Sequence, residues 1–172
     1  MIINNAVNAG PFVYCGIAYS PNTKTVYHNA GEGHYQSQIY VLAGSAVAYD
    51  RTIEDTSFLP VATRSGDLPG TLIDVSEGRD RWIETVAGDQ GLMIVMFHPI
   101  PSSRELDIEI LKEGLHRISA TDKRKTIVVM DGKVDTNSGK KLESLQFAKL
   151  LPGNSVEINI HTGGVVAVVQ DK

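Results

Sequence analysis

Residues 39–44 read IYVLAG and residues 127–132 read IVVMDG. A buried strand that ends on glycine therefore occurs twice in one chain. Each half also carries a Leu-Pro-Gly, at Leu68-Pro69-Gly70 and at Leu151-Pro152-Gly153. Each closes on an apolar run opened by glycine, GLMIVMF at 91–97 and GGVVAVV at 163–169. Such self-similarity restricts a fold more than local propensity does, because each copy must build the same unit. The pattern predicts two copies of one β-unit. Gly44 and Gly132 should sit at equivalent turns, and the two Leu-Pro-Gly turns should pair in the same way.

The remaining sequence reads as strands. Apolar or alternating runs fall at 12–19, 24–28, 58–63, 70–75, 82–86, 92–98, 106–110, 115–119, 126–130, 145–150, 155–160 and 165–170. Residues 38–49 read as two short strands around Gly44 or as one long strand with a bend. Between the runs lie clusters of Gly, Asn, Asp and Ser, which accept positive φ or bond locally to the backbone. Helical signals are confined to 102–106, a single turn, and 138–144, where a hairpin loop is the simpler reading. Pro99 and Pro101 interrupt ladder formation and mark a seam. The expected halves are 1–98 and 99–172.

A chain of 172 residues forms one domain or two very small ones. Its 42% hydrophobic and 21% charged content allows a buried core. A net charge of −4 favours neither nucleic acid nor an anionic membrane as partner. The basic residues cluster only at Lys123-Arg124-Lys125 and Lys140-Lys141, in stretches that read as solvated hairpin tips. No apolar run approaches the ~20 residues that span a bilayer. The N-terminal MIINNAVNAG has no basic n-region. A cytoplasmic, reducing location is the expectation. Cys15 is the one cysteine, set in an apolar run, so it reads as a small buried hydrophobe.

Two stretches resemble the motifs of the cupin superfamily. Val41-Leu42-Ala43-Gly44 matches the turn that closes the first motif, where His-x-His and then Glu precede the strand. Gly70, Ser76, Gly78, Arg81 and Thr85 keep the spacing of the second, G-x5-P-x-G-x2-H-x3-N, with Ser, Arg and Thr replacing Pro, His and Asn. The resemblance implies an all-β, cupin-like jelly roll, a double-stranded β-helix in two imperfect repeats over roughly 11–98 and 104–170. Counting back from Gly44 puts the family's glutamate at Ser37. With one deletion it falls on Gln38, and His-x-His then falls on Glu32-Gly33-His34.

The family's histidines and glutamate typically hold a divalent metal inside the barrel. By resemblance, His34, Glu32 and Gln38 are the candidate metal ligands, for one divalent ion. On a strand, residues two apart share a face, which would bring Glu32, His34 and Gln38 together. Arg81 at the histidine position opposes a metal by like charge, and as a guanidinium it favours a carboxylate, phosphate or sulfate. The candidate ligand-binding set is Glu32, His34, Gln38, Arg81 and Tyr40, with Tyr27 as an alternative to Tyr40 at the rim. His28, His98, His116 and His161 are scattered and read as hydrogen-bonded neutral histidines.

The second repeat has no histidine before IVVMDG and is shorter between Leu151-Pro152-Gly153 and its closing strand. The segment for the second-motif histidine is expected to be missing there. The site is therefore expected in the first half. The implied function is binding of a small polar or anionic molecule, with a metal-dependent isomerase, lyase or dioxygenase as the catalytic form. The alternative is a non-catalytic binding or structural module that has lost its metal site. A homodimer is expected, with the run Phe12–Tyr19 covering a partner or closing its own barrel.

Overall fold

The computed structural model describes residues 2–3, 6–28, 37–52, 62–64, 70, 72–75, 81–101 and 105–171. Every regular element among them is a strand: β1 (Ile2–Ile3), β2 (Val7–Asn8), β3 (Phe12–Tyr19), β4 (Lys24–His28), β5 (Ser37–Thr52), β6 (Ala62–Arg64), β7 (Leu72–Val75), β8 (Arg81–Pro99), β9 (Leu106–Ala120), β10 (Lys125–Asp131), β11 (Lys133–Thr136), β12 (Lys141–Glu143), β13 (Phe147–Leu150) and β14 (Asn154–Asp171). No helix among the described residues is long and apolar enough to cross a membrane. The chain divides into two compact units, Met1–Arg104 and Glu105–Lys172.

In the first unit, two long strands run the length of the sheet. β5 and β8 pair antiparallel from Gln38↔Phe97 to Thr52↔Arg81, with register shifts at Val41/Ala43 and Gly44/Ala46. The shifts divide the ladder. On one side of the bend, β7 and β3 flank the pair, through Ile39↔Ile73 and Ile17↔Ile94. On the other side, β6 and β4 flank it, through Tyr49↔Thr63 and Val26↔Glu84. Each side of the bend thus carries its own flanking strands along the same two long strands. That is the construction of a double-stranded β-helix.

The second unit repeats the plan. β14 carries β10 and the first part of β9 on one side of its bend, through Val129↔Val166 and Val166↔Leu111. It carries β11 and the rest of β9 on the other, through Val134↔Ile160 and Ile158↔His116. β13 flanks β10 as β7 flanks β5, and β12 flanks β11 as β6 flanks β5. The register also repeats. Val41↔Ile94 corresponds to Val129↔Val166, and a shift follows at Val41/Ala43 and at Val129/Asp131.

The repeated glycines occupy equivalent bends, as the sequence predicts. Gly44 has φ +88 and Gly132 has φ +86. A Cβ on Gly44 would lie 2.1 Å from the Gly91 carbonyl oxygen, and one on Gly132 would lie 2.8 Å from Gly164 Cα. The chain can cross itself this closely only where no side chain intervenes.

The Leu-Pro-Gly turns are not equivalent, contrary to expectation. Gly70 precedes β7 and donates its N–H to the Val41 carbonyl at 2.8 Å. The residue that does this in the second unit is Leu145, which precedes β13 and donates to the Val129 carbonyl at 2.7 Å. Leu145 takes φ +64 where Gly70 takes φ +97. Gly153 instead lies between β13 and β14 and donates to the Ala120 carbonyl at 2.6 Å. The segment expected to be missing from the second repeat is therefore present, as β13, the Leu151–Gly153 turn and the start of β14. The second unit has fewer residues between its strands. The expected pairs of short strands at 82–86 and 92–98, at 106–110 and 115–119, and at 155–160 and 165–170 are each one continuous bent strand. A bulge interrupts the apolar pattern without ending the ladder.

The apolar interior of the second unit joins both halves of its folded sheet. Ile127, Val129, Val166 and Val168 pack with Ile118, Ala120, Val134, Leu142, Leu150, Ile158 and Ile160. In the first unit the equivalent face of β3, β5 and β8 buries Cys15, Ile17, Ile39, Val41, Leu92 and Ile94, with Tyr19 and Met96 against them. The opposite face of these strands is also buried. Phe12, Tyr14 and Phe97 stack there in tilted pairs with centroids 6.0–6.2 Å apart, and Tyr40 shares that face of β5. Burial pushes the Tyr14 phenol up to about 12, so this face stays uncharged.

Candidate functional site

Side chains alternate along β5, so Ser37, Ile39 and Val41 share the inward face. On β8 the inward residues are Ile94, Met96 and His98, since Ile39 is paired with Met96 and Val41 with Ile94. Ser37 and His98 therefore meet as cross-strand neighbours at the end of this row. The Ser37 hydroxyl lies 2.7 Å from His98 Nδ1, in a partly buried hydrogen bond. Val13 on β3 completes the row beside His98. Cys15, one inward position along β3, is paired with Met96.

Burial lowers the His98 pKa, so the ring is neutral at neutral pH. The same desolvation raises the Cys15 pKa, which keeps it a thiol rather than a reactive thiolate. Among the described residues, the pair sets one hydroxyl and one neutral imidazole at the end of an otherwise apolar row. A hydroxyl both donates and accepts, and the imidazole can do either according to tautomer. The chemistry available is hydrogen bonding to a neutral polar group or, with the imidazole as base, proton transfer at short range.

The predicted residues are placed as follows. Glu32 and His34 lie outside the described residues. Gln38 is paired with Phe97 and projects to the face opposite Ser37, the face of Tyr14 and Tyr40. Tyr40 is 1% exposed, which places it in a packed layer rather than at a rim. Arg81 opens β8 opposite Thr52, and Tyr27 on β4 is paired with Ile83; both are described by backbone alone. Face alternation separates the two alignments that the sequence leaves open. Ser37 points inward where the family has glutamate, and Gln38 points outward.

A metal is a poor fit to the described part of this site. A neutral serine hydroxyl replaces the carboxylate, and it is already engaged with His98. Among the described residues, no three His, Cys, Asp or Glu side chains are grouped to hold a metal ion. In the second unit the corresponding row carries Lys125 opposite Gln170, with Asp107 beside it. The sequence sets Ser37 at the family's glutamate position and reads His98 as a hydrogen-bonded histidine, but it does not join the two, because they stand far apart in the chain. The strand parity that joins them needs the β5–β8 register.

No family model matches the sequence, and no curated protein matches it. Solved structures do match. A conserved protein of unknown function from Pseudomonas aeruginosa PAO1 superposes with a TM-score of 0.64 at 13% identity, over 94% of this chain and 82% of that one. A variant of Bacillus subtilis oxalate decarboxylase gives 0.60 at 7% identity, over 95% and 69%. A cupin 2 conserved barrel domain protein from Leptotrichia buccalis gives 0.51 at 10% identity, over 99% and 88%. The chain has the cupin fold, an all-β jelly roll in two imperfect repeats. Identities this low carry fold and no chemistry.

Proposed function

We propose that this cupin-fold chain is a small-molecule-binding protein. It holds its ligand on the inward face of the first unit, and its second unit serves as packed scaffold. The observation that carries this reading is the contrast between the two interiors. The first sets the Ser37–His98 pair against Cys15, Ile39 and Met96. The second packs aliphatic side chains across both halves of its sheet, and its corresponding row ends on Lys125 and Gln170 instead of a serine–histidine pair. A few polar groups converging on an apolar wall are what a ligand site requires.

The form best supported is a binding module that has lost its metal site, because serine stands at the glutamate position. The metal-dependent isomerase, lyase or dioxygenase draws on the likeness to oxalate decarboxylase and rests on Glu32 and His34. Elemental analysis separates the two. A stoichiometric transition metal in the purified protein overturns the lost-metal form.

The location of the site is tested by thermal shift against a library of small polar and anionic compounds. A compound that raises the melting temperature should lose its effect in Ser37→Ala. It should keep its effect in Lys125→Ala, at the equivalent row of the second unit. The reverse pattern would place the ligand in the other unit and sink the reading.

A further inference from the structure

Among the described strands, β9 pairs with β14 alone. Its far edge therefore keeps a row of backbone N–H and C=O groups that another strand can use. β3, the run that the sequence singles out for a partner, already carries β8 on one edge and β1 and β2 on the other. Past the bend of β9, Ile118 and Ala120 face the core, so alternation turns Leu115 and Arg117 outward. Glu113 stands at the bend itself, where Gly114 takes φ +122. All three side chains are exposed, Leu115 to 74%. Glu113 accepts one long bond from the Gly163 N–H, at 3.3 Å. Among the described residues Arg117 forms no ion pair, although Glu157 stands across from it on β14. An apolar side chain this open, flanked by an acid and a base on an unpaired edge, is unusual for a strand that faces only water.

We propose that two copies of this chain join edge to edge along β9, antiparallel, with Leu115 on the two-fold axis and Glu113 of each copy beside Arg117 of the other. The register follows from symmetry and charge. Hydrogen-bonded and non-hydrogen-bonded pairs alternate along an antiparallel ladder, so a two-fold axis normal to it passes through one residue that faces itself. Centring on Leu115 sets Leu115 against Leu115, with an opposite-charge pair on either side of it. Centring on Gly114 sets Glu113 against Leu115 and leaves Arg117 against Leu111. Centring on His116 sets Arg117 against Leu115 and Glu113 against Ser119. Centring on Glu113 or on Arg117 brings like charges face to face, which is unfavourable. Of these five registers, the one on Leu115 alone matches both charges and covers the exposed leucine.

The experiment combines sedimentation equilibrium of the full chain over a concentration series with cysteine cross-linking. Opposed Cα atoms in an antiparallel ladder lie about 4.5–5.5 Å apart, which a disulfide can span. Mild oxidation should therefore link Leu115→Cys into a covalent dimer. Arg117→Cys meets Glu113 in this register and should link far less. Cys15 is buried and stays out of the reaction. The wild type should dimerise reversibly, and Arg117→Glu should weaken the dimer about tenfold or more, since it turns both opposite-charge pairs into like-charge ones. Adding Glu113→Arg to Arg117→Glu should restore the affinity, a recovery that a misfolded variant would not show. A wild type that stays monomeric at every concentration overturns the proposal. So does a dimer indifferent to Arg117→Glu, which must use another surface. Equal cross-linking of the two cysteine variants would overturn the register.

Discussion

The two units solve one backbone problem with different side chains. Both bend their long strands at a glycine near φ +87, in the same register, with a second glycine opposite. Both place a positive-φ residue ahead of the short flanking strand, where its N–H reaches back to the equivalent valine carbonyl. At the bend, glycine is used twice. Ahead of the flanking strand, Gly70 in one unit becomes Leu145 in the other. The difference is steric. At the bend a Cβ would strike backbone, whereas Leu145 meets only the ordinary cost of the left-handed region, roughly 1–2 kcal/mol. Backbone collision fixes a residue; conformational preference only biases it.

That contrast is open to direct attack, and the bend should give the largest effect. Gly44→Ala should lower stability by more than about 3 kcal/mol, because the new methyl lands inside the Gly91 carbonyl. Gly132→Ala should cost less, about 2 kcal/mol, since its nearest neighbour is farther away and is itself a glycine Cα. Denaturant midpoints measured side by side check the order. Equal losses would mean that the distance of closest approach does not set the cost at these bends.

A middle-sized effect belongs to His98. Its folded pKa lies below the unfolded value of 6.5 because of burial. The unfolded chain therefore binds the proton more readily, and stability is lost as pH falls from above 6.5 through the folded value. Melting temperature followed from neutral to mildly acid pH should fall in the wild type and fall less in His98→Gln. In the second unit that row carries Lys125 and Gln170 in place of the pair. A slope unchanged in His98→Gln would assign the acid sensitivity to other groups.

The smallest effect is expected at Leu145. Leu145→Gly should raise stability by up to about 1 kcal/mol through relief of the positive φ, offset in part by lost packing and greater freedom in the unfolded chain. Gly70→Ala should move the other way by about 1 kcal/mol. If both variants destabilise equally, the two turns differ by more than backbone preference.

These turns also show what the sequence could disclose. IYVLAG and IVVMDG identify the repeat because the glycine at each end answers a collision that no other residue survives. The Leu-Pro-Gly match misleads because a Pro-Gly turn suits many connections, and here it serves two different ones. The equivalence of Gly70 and Leu145 has no signature in residue type. Ser37–His98 was hidden for another reason. Both faces of β5 are buried over Ile39–Val41, so Tyr40 and Val41 look alike to a hydrophobic pattern, and alternation gives no inward parity there. Only the pairing of Ile39 with Met96 reveals that Ser37, and not Gln38, faces the interior.

The close approach of Gly44 to Gly91 has a consequence for how such a chain can change over time. The two positions form a single crease shared by two strands, and at the corresponding bend of the second unit Gly132 lies against Gly164. A side chain at Gly44 must displace the backbone at Gly91, and moving that backbone disturbs the Tyr19 carbonyl, which a Cβ on Gly91 would approach to 2.7 Å. Neither partner can drift alone. Among descendants of this chain, the members of each crease should be replaced together or kept together, while Gly70 and Leu145 exchange residue type freely.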